Sequence, residues 1–302
     1  MKIKFLSSKE YENNAKNCGD CIIINNGTEM IVYDCGCEEH AKCVMNEMSK
    51  ANVDKIIGVL SHNDKDHFDG FLTLIDNKKI ECIYTICALK HVDDILLEIN
   101  DSRYTRDSVK NKIIDIYSNI HELSGYLKDI YGDDKHLLSP DIVKGVKVVS
   151  PNYNYAIETI ARAVKNSEPK TIDGDSVMNA ASVCLNVYDD SNNMLLTGDS
   201  TFENIEAHLS KLNYIQLPHH GRADQLDEIL NYYDENEEEP MYLISDNTGE
   251  SNGGVATRRI KYRRYKNTHD KEFEIVFDTT NKSSRTVGSL GVDIDEMLYK
   301  CE

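Results

Sequence analysis

Short apolar runs alternate with charged, helical stretches along most of the chain. The runs in CIIINNGTEMIVYD flank Asn-Asn-Gly, a turn sequence that predicts a β-hairpin. The helical stretch EEHAKCVMNEMSKA follows, and the buried strand Ile56–Leu60 comes next. Later strands are predicted at IECIYTI, GVKVVSP, ASVCLNVYD, NMLLTGD, YIQLPHHG, MYLISD and FEIVFDT. The chain therefore combines strands with helices.

The pattern changes between about His91 and Gly132, where charges recur with helical periodicity and no glycine occurs before Gly125. It predicts a helical insertion over one face, which we place at about 91–142 of a single domain spanning 1–302. Histidines in the helical or polar stretches, among them His40 and His91, are predicted at the surface.

Composition restricts the class of protein. The chain has 302 residues, 40% of them hydrophobic, and no apolar stretch near the ~20 residues needed to cross a bilayer. Its start, MKIKFLSS, lacks the apolar segment of a secretory signal. Nine cysteines, an odd number, fit a reducing compartment better than a disulfide framework. We therefore expect a cytoplasmic globular protein with no membrane partner.

The net charge of −18 argues against a protein that coats nucleic acid or anionic membrane through its whole surface. One stretch is an exception: in RRIKYRRYK, here called the basic cluster, six of nine residues are Lys or Arg. Two interpretations stay open, a solvated helix face and a patch that binds phosphates. The candidate phosphate contacts are Arg258, Arg259, Arg263 and Arg264.

Residue types that bind metals crowd the exit of the strand Ile56–Leu60. The stretch SHNDKDHFDG follows it directly and contains His62, Asp64, Asp66 and His67. Four such groups in one small space would repel one another or stay unsatisfied without a cation, and Asp and His are ligands for Zn²⁺, Mn²⁺ or Fe²⁺. The alternative is an exposed polar turn, because Asn, Asp, Lys and Gly are ordinary turn residues.

Two further strand exits carry the same residue types. LLTGDST places Asp199 after an apolar strand, and LPHHGR places His219 and His220 after another. Either segment alone is weak evidence for a metal site, but three strand exits that all carry metal-type ligands seldom arise by chance. Asp34, at the exit of the hairpin's second strand, is predicted to orient a ligand histidine rather than to bind metal itself.

The three motifs resemble a known family. H-x-D-x-D-H after a strand, a strand ending in T-G-D and a strand ending in P-H-H-G resemble the metallo-β-lactamase superfamily, most closely the hydrolase domain of ComEC-type competence proteins. The segment CGDCIIINNGTEMIVYDCG is similar to the opening of that branch, and the matching segments run from Gly19 to about Asp246. The resemblance implies an α+β, four-layer αββα sandwich with its metal site at one edge between two sheets.

The resemblance also implies roles for the first motifs. His62 and Asp64 would bind one divalent ion, Asp66 and His67 would bind a second, and Asp199 would bridge the two. Asp66 or Asp199 would take a proton from the attacking water.

The histidine pair divides its roles under the same resemblance. His220 directly precedes a glycine, as the last ligand of the family does, so it is the expected metal ligand. His219 would then lie outside the ligand set, as a supporting group or a proton donor.

One ligand of the family is missing. Its separate third histidine precedes the strand that ends in Asp199, but DGDSVMNAASVCL offers Asp173, Asp175, Asn179 and Ser182 instead. ComEC-like sequences tend to have Asn and Ser there. Asn179 and Ser182 are therefore predicted to support the ligands.

The implied chemistry is metal-assisted hydrolysis. One or two Zn or Mn ions would activate water, and a phosphodiester suits a pair of ions well. We expect a nuclease or phosphodiesterase whose substrate is DNA or a cyclic nucleotide. Two alternatives stay open: a hydrolase of a small ester, lactone or thioester, which the acidic surface favours, and a metal-binding interaction module without activity. No residue points to a protein partner.

Cysteines gather near the N-terminus. Cys18 and Cys21 form a C-x-x-C, and Cys35, Cys37 and Cys43 lie nearby. A zinc knuckle or a redox pair would use such thiols, but no second C-x-x-C follows at zinc-ribbon spacing. The pattern favours small buried thiols.

Overall fold

Two β-sheets stack on each other in the computed structural model, which describes residues 1–7, 11, 18–132, 141–165, 177–236, 238–245, 257–260, 262–268 and 270–277. The strands in these ranges are β1 (Lys2–Phe5), β2 (Ile22–Asn25), β3 (Met30–Tyr33), β4 (Ile56–Val59), β5 (Ile80–Thr85), β6 (Leu127–Asp129), β7 (Val146–Ser150), β8 (Cys184–Tyr188), β9 (Asn193–Leu196), β10 (Tyr214–Gln216), β11 (Met241–Ile244), β12 (Tyr265–Asn267) and β13 (Phe273–Val276).

Each sheet has an antiparallel half and a parallel half. The first sheet has the order β13-β1-β2-β3-β4-β5-β6, antiparallel as far as β3 and parallel beyond it. The second has the order β12-β11-β10-β9-β8-β7, parallel from β12 to β9 and antiparallel from β9 to β7. Because parallel strands end at the same edge of a sheet, the exits of β3, β4, β9, β10 and β11 are available to one site.

Helices cover the outer faces of the sheets. α1 and α2 pack on the first sheet, and α9 packs on the second. Among the described helices, none has both the length and the apolar character needed to cross a membrane. The helices are α1 (Glu38–Ala51), α2 (Lys65–Asp76), α3 (Val92–Ile99), α4 (Arg106–Ile116), α5 (Tyr153–Lys165), α6 (Val177–Ala180), α7 (Phe202–Ile205), α8 (Pro218–Gly221), α9 (Ala223–Glu235) and α10 (Thr257–Ile260), with 3₁₀ turns at Ala88–His91, Ser118–Leu123 and Glu206–His208.

The alternation of side chains along the N-terminal hairpin explains why its sheet is buried on both faces. Ile22 and Ile24 of β2 face the core between the two sheets, whereas Ile23 faces the helices. Along β3, Tyr33 faces the inter-sheet core and Val32 faces the helices. The resulting order of layers, helix, sheet, sheet, helix, confirms the predicted αββα architecture.

The region predicted as a helical insertion contains α3, α4 and the 3₁₀ turn Ser118–Leu123, and α3 packs against α5 over the inter-sheet core. It also contains β6, which pairs with β5 and is not predicted from the sequence. The surface prediction for His91 is wrong. Its Nε2 lies 2.8 Å from Oδ2 of Asp129 and its Nδ1 lies 3.2 Å from the Tyr153 hydroxyl, so a buried carboxylate and a phenol satisfy both ring nitrogens.

The basic cluster is not one helix face, so that interpretation is wrong. Arg258 and Arg259 lie in the four-residue α10, and the chain then turns and enters β12 at Tyr265. β12 forms the edge of the second sheet and pairs in parallel with β11. Pairing with β11 overrides the helical pattern suggested by the spacing of the charges.

Tyr33 joins the two sheets through one buried hydrogen bond. Its hydroxyl donates to the carbonyl of Val183, just before β8, at 2.8 Å.

Tyr33→Phe should lower the free energy of unfolding by about 1–3 kcal/mol, because it leaves a buried carbonyl without its donor. Urea unfolding measures this. The matched control is Tyr104→Phe, whose exposed hydroxyl bonds to Lys165 at 3.3 Å and should matter by less than about 0.5 kcal/mol. Equal losses would contradict this role of Tyr33.

Candidate metal centre

Four strand exits meet at the edge between the sheets. Asp34 follows β3, Ser61 and His62 follow β4, Asp199 follows β9, and the turn α8 follows β10. The metal-type residues that the sequence scatters over three motifs therefore come from the parallel halves of both sheets. The structure brings together His62, Asp64, Asp66, His67, Asp199, His219 and His220.

The N-terminus of α2 presents part of this set. Asp64 is its N-cap, and Asp66 and His67 lie in its first turn. The peptide N–H of His67 donates to the carbonyl of Asp64 at 3.0 Å, and the N–H of Cys35 donates to the carbonyl of His67 at 2.7 Å. Backbone hydrogen bonds therefore hold the turn in place.

The insertion holds the same turn from the other side. The side-chain amide of Asn63 donates to the carbonyl of Ile116 at 3.0 Å and to Oδ1 of Asn119 at 3.2 Å. The Asn119 amide donates in return to the carbonyl of Asn63. These contacts connect the turn between His62 and Asp64 to the end of α4 and the 3₁₀ turn after it.

The two oxygens of Asp199 face different histidines. Oδ2 lies 3.8 Å from Nε2 of His62 and 3.7 Å from Nε2 of His219. Oδ1 lies 3.5 Å from Nε2 of His67 and 3.9 Å from Nε2 of His220. These separations exceed hydrogen-bond length, but those to His62, His67 and His220 suit pairs of atoms that each bind a common ion at about 2.0–2.2 Å. Asp199 is placed to bridge two ion positions.

The other two aspartates lie on opposite sides of Asp199. Oδ2 of Asp64 is 3.5 Å from Nε2 of His62, and the Asp64 side chain is 53% exposed. Oδ2 of Asp66 is 4.0 Å from Nε2 of His220. One position therefore has donors from His62, Asp64 and Asp199, and the other has donors from Asp66, His67, His220 and Asp199.

The donor set fits a divalent metal. Within the described residues, Nε2 of His62, Nε2 of His67 and Oδ1 of Asp199 are buried and lack a hydrogen-bond partner. Buried polar atoms are rarely left in that state, and a cation between them would satisfy all three. Ligand atoms of His62, His67 and Asp199 lie within 4.8 Å of one another, as do those of Asp66, His67 and His220. Imidazole and carboxylate together suit zinc or manganese.

Neighbouring groups fix the tautomers of His67 and His62. The Asp34 carboxylate accepts from Nδ1 of His67 at 2.8 Å and from the Ser61 hydroxyl at 2.7 Å. The Ser61 oxygen, whose proton is directed at Asp34, accepts from Nδ1 of His62 at 2.9 Å. With Nδ1 protonated, the neutral rings direct the lone pair of Nε2 toward Asp199 and the ion positions.

The two adjacent histidines of α8 differ in which ring nitrogen carries the proton. Nδ1 of His220 donates to the carbonyl of Ser245 at 2.8 Å, which leaves its Nε2 free to bind metal. Nδ1 of His219 lies 3.3 Å from the guanidinium of Arg222, a group that can only donate. Neutral His219 therefore carries its proton on Nε2, as a proton donor does and a metal ligand does not.

Backbone conformation aims these two rings. His219 and His220 have φ of 51° and 56°, in the left-handed region that non-glycine residues seldom adopt. The turn is held by hydrogen bonds from the His219 N–H to the Gly198 carbonyl at 3.1 Å and from the Arg222 N–H to the His219 carbonyl at 3.0 Å. Strain of this kind is typical of functional sites.

The charges at the centre favour its ionised forms. Burial acts to raise the pKa of the Asp199 carboxyl, but His67, His220 and other imidazoles hold that pKa well below its usual range. Burial acts to lower the pKa of His220, but Asp199 and Asp20 outweigh it and raise that pKa to about 10. A metal ion must displace the proton of His220, so metal affinity falls as the pH is lowered.

Asp20 belongs to the site but is not among the predicted residues. It is buried, its Oδ1 lies 3.2 Å from Nδ1 of His220, and its Oδ2 accepts from the side-chain amide of Gln216. The available signal is its position in the segment CGDCIIINNGTEMIVYDCG, which resembles the opening of the ComEC branch, but the resemblance assigns no role to Asp20. Ser61, Gln216 and Ser245 carry no sequence signal, because their role depends on which strands are neighbours.

Asn179 and Ser182 are buried at the entry to β8, where the Ser182 N–H donates to the Asn179 carbonyl at 2.9 Å. Asn204 donates to the carbonyl of Ser182 at 3.2 Å. Their predicted contact with the ligands stays a prediction. Asp173 and Asp175 lie outside the described residues.

The arginines of the basic cluster that have described side chains are engaged with acidic groups or carbonyls. Arg263 pairs with Asp234 and Glu239, each at 2.7 Å. Arg259 pairs with Asp227, and Arg264 donates to the carbonyl of Glu239 at 2.9 Å. The side chain of Arg258 lies outside the described part of the chain. Phosphate binding by this cluster stays a prediction.

Comparisons with known proteins bear on the fold. No protein-family model and no curated protein sequence matches the chain. Among solved structures, Tm1679, described as a metal-dependent hydrolase of the β-lactamase superfamily, aligns with a TM-score of 0.54 at 12% identity over 92% of this chain and 99% of its own. The metallo-β-lactamase fold protein YhfI from Bacillus subtilis aligns with a TM-score of 0.51 at 12% identity, over 88% and 95%. This chain has the metallo-β-lactamase fold.

A third structure with this metallo-β-lactamase fold extends the likeness. Zn²⁺-bound PqqB from Methylobacterium extorquens aligns with a TM-score of 0.51 at 10% identity, over 92% of this chain and all 100% of its own. At such low identity the likeness concerns the fold. The closer resemblance to ComEC-type proteins stays a prediction.

The opposite tautomers of the histidine pair predict different effects of mutation. His220→Ala should reduce the bound metal, because a lone pair aimed at an ion position is removed. His219→Ala should leave metal content unchanged and reduce turnover, because a proton donor is removed. Inductively coupled plasma mass spectrometry of dialysed proteins measures the metal. Equal metal content in His220→Ala and the unmutated chain would show that His220 is not a ligand.

Proposed function

We propose that the protein is a metal-dependent hydrolase that cleaves phosphodiester bonds. The observation that carries this proposal is the placement of Asp199, whose two oxygens each face a separate group of histidine and carboxylate donors. Two divalent ions, zinc or manganese, would supply Lewis acidity and lower the pKa of bound water there. Tm1679, which shares the fold, is described as a metal-dependent hydrolase, and this supports the reaction class.

The protein's own residues divide the remaining work. Asp34, Ser61 and Ser245 orient the ligand imidazoles, so little reorganisation is needed when metal binds. Asp66, with a side chain 28% exposed, is the carboxylate placed to accept a proton from water. His219 holds a proton on Nε2 at the rim, with its side chain 27% exposed, and can give it to a departing alkoxide.

A phosphodiester uses every part of this arrangement. Its hydrolysis develops charge on the attacking and leaving oxygens at once, and two ion positions joined by one carboxylate can stabilise both. The leaving alkoxide needs a proton, which the tautomer of His219 supplies. The resemblance to the hydrolase domain of ComEC-type proteins points to DNA or a cyclic nucleotide as the substrate.

A small ester, lactone or thioester is the second candidate. The formal net charge of −18 and the ion pairs of Arg259 and Arg263 favour a substrate that needs no basic surface. Carboxylic ester hydrolysis uses one activated water and one polarised carbonyl, which the same centre can also provide. A metal-binding interaction module without activity is disfavoured, because metal binding alone would not need the partly exposed Asp66 and His219 beside the ion positions, where they can accept and donate protons.

Asp199→Asn tests the proposed centre. The neutral amide cannot bridge two cations, so hydrolysis of bis-p-nitrophenyl phosphate should fall by more than about 100-fold and bound metal should decrease. Circular dichroism checks the fold, and Asp54→Asn, at an exposed aspartate after α1, is the matched control. Full activity in Asp199→Asn would contradict a bridging role. Cleavage of a lactone with no cleavage of the phosphodiester would select the second candidate.

The basic cluster distinguishes nucleic acid from a small phosphodiester. If DNA is the substrate, the double variant Arg259→Gln, Arg264→Gln should bind it more weakly, and the log–log salt slope should shrink by about 0.7–0.9 for each phosphate that is no longer neutralised. Fluorescence anisotropy over a salt series measures the slope. Arg103→Gln with Arg106→Gln, at exposed sites by α4, is the control. An unchanged slope would exclude the cluster as a DNA-binding surface.

A further inference from the structure

A second group of metal-type side chains lies at the start of α1. Cys18 precedes β2, Cys37 is the N-cap of α1, and Glu39 lies in the first turn of that helix. Their sulfur and carboxylate oxygen atoms all lie within 4.8 Å of one another. The group contains two thiols, whereas the centre around Asp199 is built from histidine and aspartate.

The two cysteines of the C-x-x-C do not pair with each other; each has a different cysteine as its neighbour. Cys18 lies beside Cys37, and Cys21 interacts with Cys35, so each thiol meets a partner from the far end of the hairpin. All four thiols are buried and free of disulfide bonds. The predicted burial is confirmed for these four cysteines, whereas Cys43 is half-buried. The thiol that interacts with Cys18 is that of Cys37, across the hairpin.

His40 is an independent indication that a ligand belongs here. The surface prediction for this residue is wrong, because its side chain is fully buried. Neither ring nitrogen has a hydrogen-bond partner in the described part of the chain. The backbone N–H of His40 donates to the Cys37 sulfur at 3.5 Å. The interaction with Cys18 and burial raise the pKa of the Cys37 thiol, and His40 offsets only part of that rise. A buried imidazole without partners is costly unless something binds it.

We propose that Cys18, Cys37, Glu39 and His40 form a structural zinc site, separate from the centre around Asp199. The two sulfurs and the carboxylate lie within 4.8 Å of one another, and the imidazole of His40, which neighbours Cys37, would complete a four-ligand set of the kind that closes a structural zinc site. Thiolates select zinc over the harder manganese and magnesium ions. On binding, Zn²⁺ replaces the two thiol protons, which pass to solvent, and the N-terminus of α1 stabilises the thiolate of Cys37.

The position of this site suits a structural role, because it lies where two loops meet. The loops that contain Cys18 and Cys37 also contain Gly19 and Gly36, and a Cβ atom at either glycine would lie 1.9 Å from the carbonyl oxygen of Asp66. Both loops are therefore in close contact with the backbone of a proposed metal ligand. A zinc ion shared by Cys18 and Cys37 would tie the loops together around Asp66.

Cobalt substitution tests the site without any assay of activity. The full chain, reduced and stripped of metal, is titrated with Co²⁺ and its near-ultraviolet absorption is recorded. Thiolate-to-cobalt charge transfer should appear, because sulfur is among the ligands, whereas the centre around Asp199 has none. The double variant Cys18→Ser, Cys37→Ser should lose this absorption and about one zinc ion per chain. The control Cys87→Ser, at a half-buried cysteine outside the group, should keep both.

Other variants separate this site from the proposed active centre. Asp199→Asn should retain the charge-transfer absorption even when it loses hydrolysis, so failure of one proposal is visible independently of the other. Glu39→Gln should weaken zinc binding by at least about 10-fold if the double cysteine variant does not fold. Absence of charge transfer in the reduced, unmutated chain would overturn the proposal. A Cys18–Cys37 disulfide in place of bound metal in freshly purified protein would also overturn it.

Discussion

The buried carboxylate of Asp34 is the group on which the arrangement at the sheet edge depends. It accepts hydrogen bonds from the Ser61 N–H, the Ser61 hydroxyl and Nδ1 of His67, so one side chain joins the ends of β3 and β4 to the start of α2. Its own φ of 55° lies in the left-handed region, which turns the chain sharply as it leaves β3. Through Ser61 it also sets the tautomer of His62. One acidic group at a strand end thus determines how two imidazoles face the metal positions.

Much of the fold and of the ligand set follows from local sequence. β2, β3 and β4 are short apolar runs, and the residues after them are polar groups that would be costly to bury without a cation. Those features are visible because strand and ligand are adjacent in the chain. Asp20 could not be found in this way, because its contact with His220 joins distant parts of the chain and exists only after the two sheets have packed. β1 and β12 were missed for a different reason, since they have only four and three residues and each contains lysine, so neither forms an apolar run.

The acidic character of the chain has different consequences at the surface and at the site. On the surface, carboxylates pair with the arginines of the basic cluster, and such exposed pairs contribute little to stability. At the sheet edge, Asp20, Asp34 and Asp199 are buried together, where the mutual repulsion of carboxylates is strong. Histidines offset part of that repulsion, as the raised pKa of His220 shows. The fold therefore concentrates negative potential at the sheet edge, where two cations are proposed to bind.

The reciprocal amide contact between Asn63 and Asn119 limits how this protein could change over evolution. Insertions that decorate a scaffold are often exchangeable, because they contact it through side chains that tolerate substitution. Here the amide groups of the insertion bond to the backbone and side chain of the turn between His62 and Asp64, at a residue only 6% exposed. Deleting or replacing the segment would leave polar groups of that turn unpaired. The predicted insertion and the turn that carries the candidate ligands are therefore expected to be inherited as one unit.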